Sequence, residues 1–147
     1  MNAKTNPDSP GMSALEKVAW TEALVSLAAL ILVSVLIPFT GHHAASAFAV
    51  LGIVILSFWF IRKRGHTVII DERDLEIAQK ARQQGSEAAW GFLVLALIAI
   101  QIVPWSTHEA VFNKTTLNWL IWAQFAIFVG VKGIVGITLY RRQHHAA

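Results

Sequence analysis

The sequence contains no cysteine, which excludes disulfides, thiolate nucleophiles and cysteine-ligated metals. Charge is scarce too. Asp, Glu, Lys and Arg make up 14% of the 147 residues, while 55% are hydrophobic. A soluble domain devotes about a quarter of its residues to charge, so this chain has too little to cover a water-facing core of its own size. Proline is limited to four residues, and two of them, Pro7 and Pro10, fall in the polar opening MNAKTNPDSP. Residues 1–12 therefore read as a disordered tail.

Long apolar runs occupy the rest. They extend over about 15–38, 44–62, 86–104 and 117–140, and each approaches the roughly 20 residues that cross the hydrocarbon of a bilayer. The expected fold is all-α: an integral membrane four-helix bundle filling residues 13–142, with a polar loop at 63–85 and a short tail at 143–147. Ser13-Ala14-Leu15-Glu16 has the form of a capping box and marks where the first helix starts. Ala45-Ser46-Ala47 also resembles a signal-peptide cleavage site, but the first run is long for a signal and Glu22 interrupts its start.

The net charge of +3 and a pI near 9.6 would suggest nucleic acid in a soluble chain. Here the basic residues gather at the ends of apolar runs, where they set orientation, so direct nucleic-acid binding is not expected. Arg62, Lys63, Arg64, Arg73, Lys80 and Arg82 lie between runs two and three. The turn between one and two has no Lys or Arg, and the segment between three and four has only Lys114. The polar loop and both termini are accordingly expected in the cytoplasm, in the cytoplasmic (inner) membrane of a bacterium or archaeon.

Two stretches repeat. Run one ends Pro38-Phe39-Thr40-Gly41-His42 and run three ends Pro104-Trp105-Ser106-Thr107-His108, which suggests two tandem helical hairpins related as a parallel repeat. Trp59, Trp90, Trp105 and Trp119 fall where interface anchors belong. Small residues predict close helix contact through Ala45, Ala49 and Gly52, through Ala89, Ala96 and Ala99, and through Gly133 and Gly136.

The polar loop carries the strongest local pattern. Asp71 is placed to cap a helix whose first turn holds Glu72 and Asp74, Ile77 and Ala81 supply an apolar side, and Glu76 and Lys80 form an i,i+4 pair. Asp71-Glu72-Arg73-Asp74 with Ile77, Lys80 and Ala81 resembles the DERD-x-x-I-x-x-K-A element of a family of small four-span bacterial and archaeal membrane proteins. That resemblance implies a fold and a membrane location without an assigned activity. Some relatives are encoded near small helix-turn-helix regulators, which would allow a regulatory contact. Read from the residues alone, the element either braces the base of the bundle or docks a cytoplasmic protein. Catalysis by its carboxylates is disfavoured, because no nucleophile, phosphate loop or complete metal site accompanies them.

Two further groups qualify as sites. His42, His43 and His108 lie at the expected outer turns, where imidazoles brought together would suit Zn or Cu, although no ligand-spacing motif supports a metal and no cofactor is expected. Glu22, Glu87 and Lys132 fall inside apolar runs, where an ionisable side chain needs a partner, water or a route to the interface. The expectation is that Lys132 pairs with Glu22, or else Glu87, as a structural clamp or as part of an ion path. The function expected on balance is non-enzymatic, with lipid as the surroundings, a cytoplasmic protein as partner and a homodimer as one assembly. A small transporter or channel is the alternative.

Overall fold

A computed structural model describes residues 13–54, 72–102 and 114–144. Every one of them except Ser13 is helical, and no strand occurs among them. Helix α1 spans Ala14–Thr40. Ser13 is extended at its N-cap, and its Oγ accepts the Glu16 N–H at 3.1 Å, so one of the orphan donors of the first turn is satisfied as the Ser-x-x-Glu pattern requires. Pro38, in the last turn, lacks the N–H that would bond the Ser34 carbonyl, and the helix ends within one turn of it. It stops at Gly41, whose φ of 55° is disfavoured for a residue with a Cβ, and whose N–H returns to the Ile37 carbonyl.

The chain then reverses as a 3₁₀ helix, Gly41–Leu51, which runs on as α-helix through residues 52–54. Three residues per turn place every third side chain on one line. Ala45, Phe48, Leu51 and Val54 are the buried row. The face expected from α-helical spacing, Ala45, Ala49 and Gly52, is therefore not the packing face: Ala49 is exposed, and a Cβ at Gly52 would meet nothing within 4 Å. The second apolar run beyond Val54, the element Pro104 to His108, Trp59 and Trp105 lie outside the described residues.

Helix α2 spans Glu72–Ile102 and α3 spans Lys114–His144. Both have 31 residues, a length of roughly 46 Å at 1.5 Å per residue. Residues 72–85, read from the sequence as a loop with a short helix of its own, are the first turns of the same unbroken helix as the third apolar run. Ile77, Ala81, Gly85 and Ala89 recur every four residues as its buried stripe. Ala96 is half-buried, but Ala99 is exposed, because ten residues from Ala89 is not a whole number of turns.

Helix α3 is the element the others share, packing on α1, on α2 and on the 3₁₀ segment. Its glycines explain how. A Cβ at Gly133 would lie 2.6 Å from the Ala23 nitrogen and 2.8 Å from the Ala19 carbonyl oxygen, so α1 and α3 touch backbone to backbone. A Cβ at Gly85 of α2 would lie 2.8 Å from the Phe128 carbonyl oxygen of α3. Toward the Gly41 end, Ala29, Val33, Phe48, Leu51 and Ala126 form the apolar core. Trp119, expected at an interface, meets Phe48 edge to face with centroids 5.9 Å apart.

The surface is the inverse of a soluble protein's. Leu24, Leu27, Ile31, Val35, Leu95, Ile98 and Ile121 are exposed, while Glu16, Glu22 and Ser26 are buried. Three helical stretches, Leu15–Val54, Glu72–Ile102 and Lys114–Arg142, are long and apolar enough to cross a membrane. A bilayer resolves the inversion, since lipid tails are as apolar as the side chains that face them. The chain is thus an all-helical membrane protein.

Candidate functional site

The polar residues gather at the end of the bundle where α1 and α2 begin and α3 finishes. Glu22 lies on the stripe of α1 that continues through Ser26 and Ala29 at i+4 and i+7, the stripe that faces α3. Glu22 is 2% exposed and Ser26 1%. Lys132 Nζ meets Glu22 Oε1 at 2.6 Å, and Ser26 Oγ donates to the Ala126 carbonyl at 2.6 Å. The glycine contact sets these distances: Ala23 beside Glu22 and Gly133 beside Lys132 are the residues in backbone contact, so the neighbouring side chains meet across a short gap. Each charge removed from water costs several kcal/mol, and only its partner and local hydrogen bonds offset that.

The pair lines a cavity of about 140 Å³ where the three helices converge, with Val18 and Ala19 of α1, Ile77 and Ala81 of α2, and Tyr140 of α3. The remaining walls are apolar. Such a space suits positioning of the ion pair or a small amphiphilic solute, and it contains no nucleophile or phosphate-cradling loop. Glu87, the other expected partner of Lys132, is elsewhere. It is exposed and accepts from Gln83 Nε2 at 2.9 Å on its own helix.

The DERD element divides in two. Asp71 lies outside the described residues. Asp74 turns inward, and its Oδ1 accepts the Tyr140 hydroxyl at 2.9 Å, which ties the start of α2 to the end of α3. Ile77 is buried on the same side. Glu72, Arg73, Glu76 and Lys80 face outward, with Lys80 Nζ 2.8 Å from Glu76 Oε1. The helical period thus separates a bracing side from a charged side within one motif.

At the opposite end, His42 and His43 share an open recess with Ser46, Asn118 and Trp122. His108 lies outside the described residues, and among those described no group of three or more potential metal ligands occurs.

Sequence reasoning missed three contacts. Tyr140 is the only tyrosine, placed where an apolar run ends, and that isolation was its signal. The Arg141 guanidinium carbon stands 5.2 Å from the centroid of the Trp20 ring, a contact that no spacing in the sequence announces. Gly85 was read as part of a loop, and only the unbroken helix reveals it as a packing glycine. Compared with family models, with curated proteins and with solved structures, the chain matches none.

Proposed function

We propose that this protein is a non-enzymatic membrane protein that presents the outward side of α2 to a cytoplasmic protein partner. Glu72, Arg73, Glu76 and Lys80 are the residues that make the contact. The supporting observation is the division of the DERD element: Asp74 and Ile77 are committed to the bundle, while Glu72, Arg73, Glu76 and Lys80 around them are exposed on a helix that continues without a break to Ile102. A rigid, externally charged helix favours docking over a flexible linker, whose residues would not divide into two sides. The reading includes a four-span bundle of two tandem hairpins, with the polar loop and termini in the cytoplasm of a bacterial or archaeal cell, and membership of the family that the DERD element resembles.

The test is in-cell photocrosslinking from positions 73 and 80, with Leu24, on the lipid-facing side, as control. The expected result is one protein adduct at both positions, lost on charge reversal of Glu72 and Glu76. Adducts indistinguishable from the Leu24 control defeat the proposal.

A second reading rests on the Glu22–Lys132 pair beside its cavity, since buried ionisable groups in membrane proteins mark ion and solute paths. Under it, purified protein in liposomes conducts a solute or ion, and Glu22→Gln abolishes the flux. Liposomes no leakier than empty ones exclude it.

A further inference from the structure

We propose that Lys17, Trp20 and Arg141 form a site for the phosphate of an anionic phospholipid, with the acyl chains lying along the outer face of α1. The site is independent of which side of the membrane this end occupies.

It begins with the contact between helices. Arg141 of α3 lies over the Trp20 ring of α1, with the guanidinium carbon 5.2 Å from the ring centroid. A cation–π contact consumes none of the guanidinium N–H donors, which remain to receive phosphate oxygens. The ring also fixes a long, flexible side chain before any ligand arrives, so less rotamer freedom is lost on binding.

Lys17 supplies the second cation. It precedes Trp20 by three residues and Thr21 by four, so it occupies the same face one turn nearer the end of α1. It is exposed. The Thr21 hydroxyl is occupied, donating to the Lys17 carbonyl at 2.8 Å, so the polar capacity of the face belongs to the two cations. Among the described residues, neither Lys17 nor Arg141 has an ion-pair partner. Glu16, the nearest carboxylate in sequence, is buried on another side of α1, and Asp74 accepts from Tyr140. Arg141 over the ring and Lys17 one turn along the same face, without ion-pair partners among the described residues, complement an anion.

The surface beyond the ring identifies the anion's source. Continuing from Lys17 and Trp20 at helical spacing, α1 exposes Leu24 (57%), Leu27 and Ile31, and α3 exposes Ile134 (60%) one face-repeat before Arg141. Charge gives way to apolar surface in a single step, with tryptophan at the boundary, which is the order of headgroup, interface and acyl chain along a lipid. A free phosphate has no use for the apolar stripe. A zwitterionic headgroup brings its own ammonium against the two cations, so the preference is for net negative charge.

The experiment uses the full chain in detergent, titrated with phosphatidylglycerol or phosphatidylcholine of matched chains and read as binding by native mass spectrometry and as thermal shift. The expected result is tighter binding of phosphatidylglycerol, with a loss on the order of fivefold for each of Lys17→Gln and Arg141→Gln. Arg82→Gln, which removes an exposed cation of α2, leaves the preference unchanged. Trp20→Phe retains most of it. If Arg82→Gln reduces binding as much as Lys17→Gln, the effect is diffuse surface charge and the site is refuted. Equal binding of the two lipids, or equal stabilisation by inorganic phosphate alone, refutes it as well. Should Arg141→Gln fail to fold, Lys17→Gln with the Arg82→Gln control decides the question.

Discussion

Replacing Gly133 with alanine tests the packing that positions the ion pair. The new Cβ would lie 2.6 Å from the Ala23 nitrogen, 2.8 Å from the Ala19 carbonyl oxygen and 3.0 Å from the Ala23 Cα, against 3.4 Å for an ordinary contact. All three atoms are backbone, so no side chain can swing away and the helices themselves must part, by about 0.8 Å at the tightest point. Overpacking of this kind costs about 1–3 kcal/mol. The same displacement stretches the Ser26–Ala126 hydrogen bond from 2.6 Å to the edge of usefulness, and interhelical bonds in membranes contribute about 0.6 kcal/mol on average. Removing a glycine restores about 0.4–1 kcal/mol through the unfolded chain. The net expectation is a loss of about 2 kcal/mol, measured by reversible unfolding in mixed micelles. Gly91→Ala is the control, since a Cβ there meets nothing within 4 Å, and it should be neutral or slightly stabilising. If Gly133→Ala unfolds no more easily than Gly91→Ala, the backbone contact between α1 and α3 is not what holds this end together.

Two further outcomes follow from the same geometry and a third from the distribution of Lys and Arg. Lys132→Met and Glu22→Gln should each cost about 3–5 kcal/mol by leaving a buried charge or acceptor without its partner, while the double variant should cost less than either single one; additive losses in thermal unfolding would mean the charges do not interact. Tyr140→Phe removes the donor to Asp74 and should cost about 0.5–1.5 kcal/mol, with faster proteolysis near the start of α2, whereas unchanged cleavage there would separate the DERD element from α3. In this cysteine-free chain, single cysteines at Gly41 or Thr107 should react with an impermeant reagent added outside cells and those at Gly65 or Gln84 should not; labelling at Gly65 would overturn the orientation.

Much of the helical architecture was legible because a membrane leaves a coarse signature: apolar runs of spanning length, with charge confined to their ends. The partners Glu22 and Lys132 were legible for a related reason, since an ionisable residue in an apolar run demands an explanation and few candidates were available to supply one. The failures were of register. Ala45, Ala49 and Gly52 form a face only if the segment winds at 3.6 residues per turn, and no residue in Gly41–Leu51 announces a 3₁₀ helix. The Asp74–Tyr140 bond depends on residues 72–85 belonging to the long helix α2, which their polarity disguised as a loop. Trp20 and Arg141 are unremarkable separately, and only the antiparallel packing of α1 and α3 makes them neighbours.

The position of α3 at the centre of the packing also orders events in time. Glu22 meets its partner across 110 residues of chain and Ser26 across 100, and both partners belong to the last of the described helices to be synthesised. Until α3 is made, Glu22 and Ser26 of α1 therefore lack the partners that the folded structure gives them, and Gly85 of α2 lacks the Phe128 backbone it packs on. A chain ending before Lys114 has none of the contacts by which α3 joins α1 to α2, and α3 supplies all of them together.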